Sequence, residues 1–198
     1  LRLRPKPKPA KPKPKPKLGP KPKSMADPAA TVVLRGRGLL EVPADELEGS
    51  NSDDVRYLDL SNNRLQDMTR LLRLKRLVRL NLSGNDLAAV PETITTLAAL
   101  DTLDLSRNAL TLMPALAGCR HLRRLHLSHN LIERIDGWQL PVALETLDVS
   151  HNALGPRLTS LATLKDLRHI QHLGAAGNPA LQPLWDAGRD AAGLWVYL

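Results

Sequence analysis

Aliphatic residues recur along the chain in one arrangement, in VRYLDLSNNRL from Val55, LVRLNLSGNDL from Leu77, LDTLDLSRNAL from Leu100, LRRLHLSHNLI from Leu122, LETLDVSHNAL from Leu144 and IQHLGAAGNPA from Ile170. In the middle of each segment apolar and polar residues alternate, the period-two pattern of a short half-buried strand. Leu58 and Leu60, and then Leu80 and Leu82, are predicted to point inward on successive strands. Aligning the segments stacks Asn63, Asn85, Asn108, Asn130, Asn152 and Asn178 at spacings of 22, 23, 22, 22 and 26 residues. At such a period each repeat is one coil with no core of its own, and stacking the coils builds the core. Asparagine closes each strand because its amide both donates and accepts, satisfying turn groups that would otherwise be buried unpaired. At about 4.8 Å per strand, six coils measure roughly 25 to 30 Å.

These segments resemble the leucine-rich-repeat family, whose consensus L-x-x-L-x-L-x-x-N-x-L five of the six match almost letter for letter, over about residues 31 to 181. The resemblance implies an α/β solenoid, a horseshoe of about six to seven coils with a parallel concave sheet. Upstream, TVVLRGRGLLEVP reads as a degenerate first coil, with Val32, Leu34 and Leu39 inward and Arg37 where asparagine would stand, as suits a terminal repeat. Downstream, Leu181, Leu184, Trp185, Leu194, Trp195 and Val196 form an apolar segment expected to cover the last coil. The predicted organisation is a basic tail over 1–24, a capping repeat over 25–54, repeats over 55–181 and a C-terminal cap over 182–198.

Charge changes the picture at one end only. The chain has 28 Lys plus Arg against 20 Asp plus Glu, but residues 1–24 hold ten of those bases and no acid, which leaves 18 bases and 20 acids for the other 174 residues. The net +8 therefore belongs to the tail. In LRLRPKPKPAKPKPKPKLGPKPKS lysine alternates with proline, which lacks an N–H and turns the preceding residue away from helix, so an extended polyproline II rod is expected. At about 3.1 Å per residue it reaches roughly 75 Å. Its cations, Arg2, Arg4, Lys6, Lys8, Lys11, Lys13, Lys15, Lys17, Lys21 and Lys23, are read as polyanion-binding, with salt-dependent affinity from counterion release. Lysines two residues apart step around the axis by about 240°, which suits a site surrounded by phosphates, such as folded RNA. No aromatic is interleaved, so base stacking is not expected. The competing reading is a solvated linker. Met25-Ala26-Asp27 reads as an ordinary start, so the tail is expected to be either a processed extension or a non-native one.

Between the inward leucines lie two columns that face the concave side. One runs Asp59, Asn81, Asp104, His126, Asp148, Gly174; the other runs Tyr57, Arg79, Thr102, Arg124, Thr146, His172. A serine column, Ser61, Ser83, Ser106, Ser128 and Ser150, reads as filler. The partner-binding candidates are Tyr57, Asp59, Arg79, Asn81, Asp104, Arg107, Arg124, His126, His129, Asp148 and His151, Tyr and Arg being favoured hot-spot residues. The alternative is that acids and bases merely neutralise one another on an unoccupied sheet. His129 and His151 fall about 5 Å apart with His126 nearby, a zinc-like grouping for which nothing fixes a fourth ligand. No metal or cofactor is expected. Basic runs at Arg70–Arg79 and Arg120–Arg124 read either as phosphate contacts or as solvated convex faces, and Trp138 as either coil packing or a contact.

A single cysteine, Cys119, excludes a disulfide scaffold and suits a reducing compartment. Apolar runs such as Leu194–Leu198 fall far short of a membrane span, and an apolar N-terminal signal segment is missing. Extracellular members of the resembled family close their ends with cysteine-bonded caps, so the expected location is intracellular, mitochondrial or cytoplasmic, with the cilium as alternative. There is no glycine-rich phosphate loop, G-x-S-x-G or H-E-x-x-H, and an enzyme is not expected. The favoured role is a non-catalytic scaffold subunit of a large hetero-complex, with protein on the concave face and the tail on RNA of a ribosome-like particle. One alternative places the tail on tubulin in a ciliary or cytoskeletal complex. Another follows from IERIDGWQLPVALETLDVSHNAL, which resembles the leucine-rich-repeat regulators of protein phosphatase 1, although those are longer and use more concave acidic and aromatic groups.

Overall fold

Each repeat contributes one short strand in which buried leucine alternates with half-exposed polar residues, and the strands stack in chain order. The computed structural model describes residues 30–47, 54–135, 139–155, 167–178 and 195–197. The Lys-Pro tail, Trp138 and most of the expected C-terminal cap lie outside the described residues. The strands are β1 (Ala30–Val33), β2 (Val55–Asp59), β3 (Arg79–Asn81), β4 (Thr102–Asp104), β5 (Arg124–His126), β6 (Thr146–Asp148), β7 (His172–Gly174) and β8 (Trp195–Tyr197). They form one eight-stranded parallel sheet in the order β1 to β8. The closing segment thus contributes a strand of its own, paired with β7.

Register follows the leucines. Leu58, Leu80, Leu103, Leu125, Leu147 and Leu173 stand opposite one another across β2 to β7. Leu60, Leu82, Leu105 and Leu127, one step beyond each strand, are fully buried, as are Leu71, Ile94, Leu97 and Leu116 from the far side of the coils. Each such side chain contributes roughly 1.5–3 kcal/mol by leaving water. The convex side carries no long helix among the described residues. It has 3-10 helices at Thr69–Arg73 and Glu92–Thr96 and a single α-helical turn, α1, at Ala44–Leu47. A period of 22 residues leaves room only for such tight turns on the return path, and Pro91 enters the second 3-10 helix with its fixed φ of −66°.

The asparagines form a ladder through the core. Asn85 Nδ2 donates to Leu60 O at 3.0 Å in the preceding coil and to Leu82 O at 2.9 Å in its own, while Oδ1 accepts from Leu65 N at 3.0 Å. Asn108, Asn130 and Asn152 repeat this pattern. The first coil departs from it for a physical reason. Arg37 has no earlier coil to bind, so its backbone N–H donates to Asn63 Oδ1 at 2.9 Å and its guanidinium turns out to Glu46 at 2.9 Å. Leu34 is buried, with Val32 and Leu39 packed partly against the same core.

Candidate functional site

The pleat that buries the leucines aims the residues between them at the concave side, and parallel pairing aligns them across coils. The structure places Tyr57, Arg79, Thr102, Arg124, Thr146 and His172 in one column, and Asp59, Asn81, Asp104, His126, Asp148 and Gly174 in the next. The first coil extends both columns with Thr31 and Val33, which the sequence reading omitted. The alternation of Val32 and Leu34 was the available signal. Val33 is 57 % exposed, an apolar end to a polar face.

Tyr57 and Arg79 act as a unit, with the guanidinium carbon 5.3 Å from the ring centroid, a cation–π contact worth about 0.5–1 kcal/mol at an exposed site. Arg124 is fastened to its neighbours. Its Nη2 bonds Asp101 Oδ2, its Nε donates to Thr102 Oγ1 at 3.0 Å, and Thr102 Oγ1 donates to Asp101 Oδ2 at 2.8 Å. Asp101, at the start of the strand, was missed because its position precedes the two columns. The serines are more than filler. Ser83, Ser106 and Ser150 each donate their hydroxyl, at 2.7 Å, and their N–H to Oδ1 of Asn81, Asp104 and Asp148. Ser61 N donates to Asp59 Oδ1 at 2.9 Å. The concave acids therefore double as turn acceptors, and their carboxylates are held in one orientation before any partner arrives.

Three further candidates lie just past the strands. Arg107, His129 and His151 sit in the turn beyond the strand with φ of 55°, 56° and 52°, at the place occupied by Asn62, Gly84 and Gly177 in other coils. Each donates its N–H to the next coil, to Ser128 O, Ser150 O and Ala176 O respectively. The His129 and His151 rings stack at 4.4 Å with an 8° interplanar angle. Among the described residues no group of three His, Cys, Asp or Glu side chains converges as a metal site would.

Several bases of the two runs are paired. Arg70 bonds Val42 O at 3.2 Å and Glu41 at 3.2 Å, Arg76 lies 3.6 Å from Asp54, and Arg123 lies 3.7 Å from Glu145. What remains as a site is a shallow concave cradle of about 300 Å³ lined by Thr31, Tyr57, Asp59, Arg79, Asn81, Thr102, Asp104 and His126. It offers an aromatic–cation pair beside fixed carboxylates, which is recognition chemistry.

A parallel solenoid with an inward leucine set, an asparagine ladder and a polar concave sheet defines a repeat protein that works through surfaces. Residues 54–73, 88–132 and 144–157 match sequence profiles described as leucine-rich repeat. The chain belongs to the leucine-rich-repeat family. It is 34% identical over 172 residues to mouse Tsukushi, covering 81% of this chain and 47% of that protein. It is thus about half the length of that relative, and it spans 17% of another, a rat leucine-rich repeat-containing G-protein coupled receptor. Among solved structures, an internalin from Listeria monocytogenes superposes with a TM-score of 0.56 at 20% identity, over 63% of this chain and 36% of that one. A leucine-rich-repeat protein of Leptospira interrogans gives 0.52 at 22% identity, over 74% and 43%. These likenesses carry the fold. Leucine-rich repeats generally serve as non-catalytic modules for protein–protein interaction, and no described helix is long and apolar enough to cross a membrane.

Proposed function

We propose that the chain is a non-catalytic scaffold subunit that holds a protein partner on its concave face and anchors through its Lys-Pro tail on a polyanion, RNA of a ribosome-like particle being the preferred one. The observation that carries this reading is the division of labour along the chain. Ten cations without one acid stand beside a near-neutral solenoid whose concave columns present Tyr57, Arg79, Asp104 and Asp148 on one sheet. Stacked strands offer many side chains to one protein ligand, whereas dense lysine with no aromatic suits phosphate contacts that do not read sequence. Such a subunit belongs in the mitochondrion or cytoplasm.

The test is co-sedimentation of the full chain from cell extract with RNA-containing particles, with and without nuclease. Salt-dependent pelleting that nuclease abolishes supports RNA. Pelleting that survives nuclease and follows microtubules instead favours tubulin tails and a ciliary or cytoskeletal complex. Capture of protein phosphatase 1 by the full chain, lost in Tyr57→Ala, would replace the scaffold reading with a regulatory one.

A further inference from the structure

The concave face alternates in charge from coil to coil. The coils of Asp59, Asp104 and Asp148 place uncharged Tyr57, Thr102 and Thr146 in the neighbouring column, and the coils between place Arg79 and Arg124 there. Both arginines are engaged within their own column's surroundings, Arg79 over Tyr57 and Arg124 on Asp101 and Thr102. Each aspartate commits Oδ1 to the serine two residues on, which leaves Oδ2 for a ligand. Carboxylates thus recur every second strand, at about 9.6 Å. A polyproline II helix completes one turn in three residues, about 9.3 Å. The face is therefore matched to an extended ligand lying across the strands with a cation every third or sixth residue.

Residues 1–24 of this chain carry that pattern. Lys8, Lys11, Lys17 and Lys23 are separated by multiples of three, so in the conformation their prolines favour they share one face. The position of the tail fits as well, because the residues before Ala30 lead directly into β1, the edge strand of the same sheet. Six residues lie between Lys23 and Ala30, and the seven steps span up to about 23 Å, enough to bring Lys23 over Asp59 on the adjacent strand. Lys17 then falls about 18.6 Å farther along the rod, against about 19.2 Å from Asp59 to Asp148. We propose that the Lys-Pro segment docks in cis along this concave face, with Lys23 on Asp59 and Lys17 on Asp148. Each exposed ion pair is weak and screened by salt, but the tether supplies an effective concentration near the millimolar range. A polyanion that draws the tail away uncovers the face, so anchoring and partner binding become linked. The inference holds whichever polyanion or protein is the physiological one.

The experiment is paramagnetic broadening in the full chain with a nitroxide at Leu18→Cys. Cys119 is buried, so the native protein is labelled at the tail alone. At 20 mM salt the amides of Thr102–Asp104 and Thr146–Asp148 are expected to lose more than half their intensity, and to recover it at 500 mM. The triple variant Asp59→Asn, Asp104→Asn, Asp148→Asn should abolish the effect while remaining folded, since Asn81 already makes the same serine bonds with an amide. Unbroadened amides at low salt, or broadening that persists in the triple variant, overturn the proposal. So does broadening of an isotope-labelled, nitroxide-free chain mixed with the labelled one, which would assign the contact to a second copy.

Discussion

Asn130→Ala tests whether the ladder holds the coils together. Asn130 is 5% exposed and its side chain serves four backbone groups: it accepts from Leu110 N at 3.1 Å and donates to Leu105 O at 3.0 Å, to Leu127 O at 2.9 Å and, at a longer 3.4 Å, to Ser128 O. The losses are unequal. Leu105 O keeps Asn108 Nδ2 at 2.9 Å and Leu127 O keeps Asn152 Nδ2 at 3.0 Å, so each carbonyl loses one of two donors, whereas Leu110 N–H loses the side-chain acceptor that caps it. An unpaired buried N–H costs about 1–3 kcal/mol, and each weakened carbonyl about 0.5–1 kcal/mol. The sum is about 2–5 kcal/mol, or roughly 10 °C in melting temperature for a chain of this size. Asn130→Asp keeps the acceptor but sets a carboxylate against two carbonyls, and at pH 7 it should cost at least as much. The assay is urea unfolding followed by circular dichroism, with exposed Arg120→Ala as a control expected within about 0.5 kcal/mol of the parent. An Asn130→Ala loss below about 1 kcal/mol would mean that the ladder is decoration on a core held by leucine alone.

Other expectations follow from the same structure. Arg107 holds a left-handed φ of 55° where other coils use glycine, so Arg107→Gly should raise the urea midpoint by the equivalent of about 1 kcal/mol; an unchanged or lower midpoint counts against strain there. Gly177 combines a φ of 68° with a Cβ position blocked by the His151 ring, so Gly177→Ala should destabilise by about 2 kcal/mol or more in the same measurement. The Thr69 hydroxyl at 2.6 Å, then the Thr69 N–H at 2.9 Å, hold the Asp67 carboxyl below its ordinary 3.8. Its stabilising contribution is therefore complete above pH 4 and lost as pH falls below it, so the difference between parent and Asp67→Ala should shrink from pH 7 to pH 3; a constant difference would contradict this. Burial pushes the Cys119 thiol up to about 11, so at pH 8 the native thiolate population is roughly a hundredfold below that of an ordinary thiol. Disulfide reagents should accordingly modify Cys119 only after denaturation.

Much of this architecture is legible in the residues, because a leucine at every second strand position and an asparagine at each turn leave one way to stack. The two concave columns follow from the same arithmetic, and Leu58 through Leu173 fall into register as the alignment predicts. The site was less legible where side chains bond locally. Nothing in the spelling of LDLS announces that serine spends its hydroxyl on the aspartate, or that Arg124 is drawn to Asp101 one strand away. The left-handed φ of Arg107, His129 and His151 escaped for a related reason: periodicity counts residues and not dihedral angles, and only Gly84 and Gly177 at the equivalent position hinted at the turn.

The ladder has a consequence for how such a molecule changes over generations. The bond from Leu87 N to Asn108 and the bond from Leu110 N to Asn130 are the same joint made twice, each at 3.1 Å. Duplicating or excising one unit between such joints would present identical surfaces to identical surfaces. Genetic growth or shortening of the chain is then a matter of copying modules, and the reach of the concave wall can be adjusted without reinventing how it is built.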